Sequence, residues 1–269
     1  MMPQIYVNET NIHCEEYGSG PETIVFSHGL LLSGQMFHKQ IGVLKERYRC
    51  ITYDHRGQGQ SEVAASGYDM DTLAEDAAAL IKALDCAPCH FLGHSMGGYV
   101  AMRLGIRHPE LIKSIMLLGT SADPASEKTV RRYKMLSFVA RWFGLRPVVD
   151  RVMPLMFGQK FLHDAARTAE KNEWRLHVLA NHRTGITRAV NGVIYRDSLV
   201  EQLHKITAPA LVIVGDQDVA AAPAKAERIH TAIAGSKLVV IPGAGHTSTI
   251  EEPAAVNAAL QSFLDSLNE

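Results

Sequence analysis

Neither sign of charge is in excess: 27 lysines and arginines stand against 28 aspartates and glutamates, a formal charge of −1. Such a chain carries no global field to draw in nucleic acid or a strongly anionic surface, so a small or neutral partner is expected. No uninterrupted apolar stretch reaches the roughly 18 residues that a bilayer span requires. The opening Met1-Met2-Pro3-Gln4-Ile5-Tyr6 lacks a basic segment followed by an apolar run, so no secretory signal is expected, and the default location is cytoplasmic. Cysteine is scarce: of Cys14, Cys50, Cys86 and Cys89, only the last two are close. A redox dithiol of that spacing normally opens a helix that lowers the thiolate pKa, whereas this pair ends a helical pattern and enters an apolar run, which favours a structural role. The histidines show no metal-ligand spacing, and neither a metal nor a cofactor is expected. Internal repeats and low-complexity segments are missing as well.

What the chain does have is core. With 269 residues, 46% hydrophobic and 20% charged, it can bury about three quarters of the surface its unfolded form exposes. One α/β domain with an insertion fits that length. Ile24-Val25-Phe26, Cys50-Ile51-Thr52-Tyr53, His90-Phe91-Leu92 and Ile115-Met116-Leu117-Leu118 read as buried strands. Between them, Thr72 to Leu84 and Met96 to Arg107 are helical in period, the first capped by Thr72 or Asp71, the second stopped by Pro109. The alternation resumes with strands at Ala210–Val214 and Leu238–Ile241 and helices at Ala222–Ile233 and Pro253–Leu267. This pattern predicts a mostly parallel central sheet with helices on both faces. Residues 1–120 and 206–269 would form that core, and 121–205, helical in pattern, an inserted cap.

The chemistry concentrates where strands end. In Phe91-Leu92-Gly93-His94-Ser95-Met96-Gly97-Gly98 a buried strand meets a helix across Gly-x-Ser-x-Gly. A serine on so sharp a turn is presented above the sheet edge, at a helix N-terminus whose free amides favour developing negative charge. A hydroxyl is a poor nucleophile without a base. Val214-Gly215-Asp216-Gln217-Asp218 places carboxylates past one later strand and Pro242-Gly243-Ala244-Gly245-His246 a histidine past the next. Strand ends of a parallel sheet meet at one edge, so Ser95, a carboxylate and His246 can converge.

Four motifs in this order resemble those of α/β-hydrolase-fold serine hydrolases over nearly the whole chain. Ser27-His28-Gly29-Leu30 resembles the oxyanion loop, and Asp54-His55-Arg56-Gly57-Gln58-Gly59-Gln60-Ser61 the glycine-rich turn that braces it. The serine elbow and the Gly-x-x-Asp and Gly-His pair complete the set. The resemblance implies Ser95 as nucleophile, His246 as base and Asp218 as its acid, with Asp216 second in line. It implies the backbone amides of Leu30 and Met96 as oxyanion hole. His28 and His94, inside the motifs, are expected to buttress the site.

In the cap segment, Met135, Phe138, Trp142 and Met156 are expected to line an apolar pocket. The interleaved Arg131, Arg132, Lys134, Arg141, Arg146 and Arg151 allow a membrane-surface helix as the lesser alternative. Gly245–Pro253 and Tyr195-Arg196-Asp197 resemble stretches in carboxylesterases and 3-oxoadipate enol-lactonases. Serine as nucleophile argues against dehalogenase or epoxide hydrolase chemistry, and Thr247 stands where carbon–carbon bond hydrolases usually carry Trp. The resemblance therefore implies cleavage of a small, largely apolar ester or lactone. Alternatives are a cofactor-free haloperoxidase or perhydrolase, and a ligand sensor that keeps the fold.

Overall fold

The six apolar runs become parallel strands of one eight-stranded sheet in the computed structural model of the protein, which describes residues 4–267. Met1, Met2 and Pro3, part of the stretch read above for a secretory signal, lie outside the described residues. The strands are β1 (Gln4–Val7), β2 (Thr10–Tyr17), β3 (Thr23–Ser27), β4 (Arg49–Tyr53), β5 (Cys89–His94), β6 (Ile112–Leu118), β7 (Ala210–Gly215) and β8 (Lys237–Ile241). Their spatial order is β1-β2-β4-β3-β5-β6-β7-β8. β2 pairs antiparallel with β1 and β4, and every pairing from β4 onward is parallel.

The helices are α1 (His38–Leu44), α2 (Met70–Ala83), α3 (Met96–Arg107), α4 (Glu127–Phe143), α5 (Arg146–Met156), α6 (Gln159–His163), α7 (Thr168–Ala180), α8 (Arg183–Ile194), α9 (Pro223–Ala232), α10 (Ser248–Glu251) and α11 (Pro253–Asp265). A parallel sheet is covered on both faces, so alternate residues of each strand need an apolar partner on opposite sides. Phe91, Ile115, Leu117, Val212 and Val214 pack on one face with Leu80 and Ile81 of α2, Val100 and Leu104 of α3 and Ile229 of α9. Leu92, Met116, Leu118, Leu211 and Ile213 pack on the other with Ile41 and Leu44 of α1 and Val256, Leu260 and Phe263 of α11. Their intervening positions explain why the runs look continuously apolar in sequence.

Three details differ from the sequence reading or add to it. The antiparallel pair β1 and β2 precedes the first expected strand. Helix α2 begins two residues early, and its cap is Asp69, in extended backbone at φ −70° and ψ 157°, whose carboxylate accepts the Thr72 amide. Neither Thr72 nor Asp71 caps, because both already lie inside the first turn. Cys86 follows α2 and Cys89 opens β5, both buried as free thiols. Between β6 and β7 the chain forms α4 to α8 and, among the described residues, no strand.

Candidate active site

Ser95 sits between the last residue of β5 and the first of α3, at φ +52° and ψ −108°. A side chain costs about 1–3 kcal/mol in such backbone, so the surroundings must hold it. They do: the Ser95 amide donates to Leu118 O at 2.9 Å, and its carbonyl accepts the Gly98 amide at 2.9 Å and the Thr120 hydroxyl at 2.8 Å. The flanking glycines are there for space. A Cβ on Gly93 would lie 2.2 Å from the Gly97 carbonyl oxygen, and one on Gly97 2.0 Å from the Ser27 carbonyl oxygen, so any larger residue would pry strand from helix.

The loops after β7 and β8 deliver the other two side chains. The Ser95 hydroxyl lies 2.9 Å from His246 Nε2, and His246 Nδ1 lies 2.8 Å from Asp218 Oδ2. Asp218 Oδ1 accepts the amides of Ala220 at 2.8 Å and Ala221 at 2.7 Å. Burial pushes the Asp218 carboxyl up, but the His246 charge and hydrogen bond and those two amides outweigh it and hold it below the ordinary range. Burial likewise pushes His246 down, and Asp218, with Glu251 behind it, reverses this to leave its pKa raised. An ionised Asp218 fixes the proton on Nδ1 and leaves Nε2 free to accept from Ser95. Asp216 is exposed and occupied elsewhere, accepting the Gly243 amide at 2.7 Å.

Three neighbours hold this geometry. His94 Nε2 donates to the His246 carbonyl at 2.8 Å, and burial, with the nearby His246 charge, pushes its pKa down to about 3, which keeps it neutral. His28 donates through Nδ1 to Gly29 O at 2.7 Å and accepts the His55 amide through Nε2 at 2.9 Å, which fixes its tautomer and the loop bearing Leu30. Glu251 was given no role by the sequence reading. Its buried carboxylate accepts the amides of Gly158 at 2.8 Å, Gly245 at 2.9 Å and Thr247 at 3.1 Å, tying the His246 loop to the start of α6. Its sequence signal was a place five residues after His246, within the Gly245–Pro253 stretch. In the glycine-rich turn, Asp54 accepts the Gly34 and Gln60 amides at 2.8 and 2.9 Å, and Arg56 pairs with buried Asp76, so that turn braces loops.

Ser95 and His246 open into a cavity of about 120 Å³ walled by α4, α5 and α8. Leu30 lines it, and Met96 opens α3, where its amide has no acceptor within the helix. Of the four apolar residues expected at the pocket, Met156 lines the cavity. Met135, Phe138 and Trp142 do not: they are 53%, 62% and 68% exposed on the outer face of α4. The inner face, at helical spacing, is Tyr133, Leu136, Ser137 and Ala140. Bulk misled the expectation, because Met135, Phe138 and Trp142 share the solvent side of α4 while Tyr133 and Leu136 face the cavity. Among the described residues, no cluster of three or more His, Cys, Asp or Glu is arranged to hold a metal, and no helix is long and apolar enough to cross a membrane.

Comparison with known proteins points the same way as the geometry. The chain is 30% identical to 3-oxoadipate enol-lactonase 1 of Acinetobacter baylyi, over 93% of this chain and 92% of that protein. Its structure superposes on an enol-lactonase of Burkholderia xenovorans with a TM-score of 0.91 at 29% identity, covering 98% of this chain and 100% of the other. A thermophilic esterase of Thermogutta terrifontis gives 0.90 at 26% identity, covering 99% and 97%. Residues 22–253 match the alpha/beta hydrolase fold, and the chain belongs to that family.

Proposed function

We propose that the protein is a serine hydrolase that opens a small, largely apolar carboxylic ester or lactone through an acyl-enzyme on Ser95. The observation that carries this is the unbroken hydrogen-bonded line from Asp218 through His246 to Ser95, ending in a lined cavity. His246 Nε2 takes the hydroxyl proton as Ser95 attacks the carbonyl, and Asp218 stabilises the imidazolium that results. The amides of Leu30 and Met96 hold the oxyanion; in such sites the loss of one donor commonly costs about 3–4 kcal/mol. His246 then protonates the leaving alcohol and activates a water that releases the acid. The lactonase and the esterase among its relatives fit this reading. The helices between β6 and β7, residues 121–205, act in it as a cap that walls the cavity over Ser95.

The test is hydrolysis of short and medium p-nitrophenyl esters beside simple lactones, combined with phenylmethylsulfonyl fluoride. We expect turnover of at least one class and loss of it as one sulfonyl group per chain appears on the peptide bearing Ser95. A folded protein that turns over neither class, or is sulfonylated elsewhere, overturns the proposal.

The raised pKa of His246 sets the pH dependence. Only neutral imidazole accepts the Ser95 proton, so activity is complete above that pKa and lost below it. The acid limb of kcat/KM should therefore fall tenfold per pH unit, with a midpoint above the ordinary histidine value of about 6.5. A midpoint below that value would show that burial outweighs Asp218.

A further inference from the structure

Two cations reach the same cavity as Ser95, and the hydrolytic chemistry uses neither. Arg196, two residues beyond α8, and Lys225, in the first turn of α9, both line it. Arg196 stacks on Tyr99 with its guanidinium carbon 4.3 Å from the ring centroid, and Nη1 donates to Val193 O at 2.6 Å. Its Nε is buried with no partner among the described residues. Tyr99 lies one turn along α3 from Ser95, about 6 Å of rise. Lys225 Nζ donates to Ala220 O at 3.1 Å, on the segment whose amides hold Asp218. Both cations are thus hung on the elements that position the triad.

A cation in a cleft ordinarily answers a carboxylate of the protein. Here, among the described residues, neither Arg196 nor Lys225 forms an ion pair. The carboxylates felt by Lys225 are Asp123 and Asp218, and each is committed: Asp123 pairs with Arg228 and accepts the Ser121 hydroxyl, while Asp218 holds His246. Burial, and then the Arg196 charge, push the Lys225 pKa down, the mark of two like charges sharing a partly dry space. A guanidinium with five N–H groups and an ammonium with three retain donors that one carbonyl each does not fill. The walls also present Leu136, Val152, Met156 and Val190, beside the hydroxyls of Ser126, Thr129 and Ser137.

We infer that Arg196 and Lys225 form a subsite for an ionised acid group, so that the substrate is an ester or lactone carrying a carboxylate a few bonds from the scissile carbonyl. The inference rests on the acyl-transfer reading of Ser95. A planar guanidinium suits a carboxylate, and the neighbouring ammonium adds charge without demanding direction. The apolar wall residues take the intervening chain, and the acid group fixes which carbonyl meets Ser95.

The test compares monophenyl glutarate with its neutral counterpart, methyl phenyl glutarate, by kcat/KM. We expect the wild type to favour the anion by about tenfold or more, and Arg196→Met and Lys225→Met each to lower the anion-to-neutral ratio about tenfold, through KM. Methionine keeps an unbranched apolar stem, and the two sites are separate, so either variant alone can decide. A second measurement needs no turnover: calorimetry on Ser95→Ala with 4-phenylbutyrate and 4-phenylbutyramide. Preferential binding of the acid, abolished by Arg196→Met in the same background, supports the subsite even if no ester is hydrolysed, an outcome that would sink the acyl-transfer reading alone. An unchanged ratio with Ser95-dependent hydrolysis of both esters, or equal binding of acid and amide, overturns the inference and leaves the hydrolase reading standing.

Discussion

Ser95→Ala is expected to lower turnover of the best ester or lactone by about a millionfold in kcat, the scale seen when the nucleophile of such a relay is lost. Among the described residues, no other hydroxyl is placed to replace it. Thr120 donates to the Ser95 carbonyl, and Ser126, which lines the cavity, is hydrogen-bonded to Thr129 at 3.0 Å with no imidazole beside it. What survives in the variant is binding and the two main-chain amides, which leave a residue of about a thousandfold over water. The fold should be untouched. Alanine keeps the Cβ and hence the φ of +52°, and among the described residues the hydroxyl bonds to His246 Nε2, so unfolding free energy should move by no more than about 1 kcal/mol. Steady-state assays beside a denaturant titration check both halves. A folded variant retaining more than about 1% of wild-type turnover would place the chemistry elsewhere.

The parts of this molecule legible in sequence are those whose signal is local. The parallel strands announced themselves because burial on both faces demands consecutive apolar residues, as in Ile115-Met116-Leu117-Leu118, split between the two cores. The elbow was legible because a strand running into a helix through two small residues leaves few alternatives. By contrast β2, Thr10–Tyr17, has no continuous apolar run: Asn11-Ile12-His13-Cys14-Glu15 alternates, as suits an antiparallel strand, and a search for buried runs passes over it. Glu251 and Arg196 stand in stretches that resemble those of esterases and enol-lactonases, but nothing in the sequence of these two or of Lys225 states a role. A carboxylate that gathers amides from Gly158 and Gly245, or a guanidinium laid on Tyr99, exists only once distant segments are packed. The face of α4 shows the same limit from another side. Its period was readable, but which side met the cavity depended on α5 and α8, and that side is the one bearing Tyr133, Leu136, Ser137 and Ala140.

The choice between two carboxylates on one loop gives the second large effect. Asp218→Asn is expected to reduce kcat/KM about 10⁴-fold with the fold retained, because an amide of the same shape no longer holds the proton on His246 Nδ1 and no longer offsets the imidazolium. An amide oxygen turned toward Ala220 and Ala221 would keep their hydrogen bonds, which points the NH₂ group at His246 Nδ1. The ring would then carry its proton on Nε2, where it can no longer accept from Ser95. The same substitution removes the charge that raises the His246 pKa, so the acid limb of whatever activity remains should move to lower pH. Asp216→Asn serves as the matched control. Its side chain is exposed and its oxygen accepts the Gly243 amide, a bond that an asparagine oxygen can also make. Turnover there should stay within about twofold of wild type, as for surface changes worth no more than about 0.5 kcal/mol. If the two variants exchanged these outcomes, the acid partner of His246 would be Asp216, reached by a rearranged loop after β7. If both retained activity, the imidazole would not need a carboxylate, and neither the raised His246 pKa nor the relay built on it would bear on catalysis.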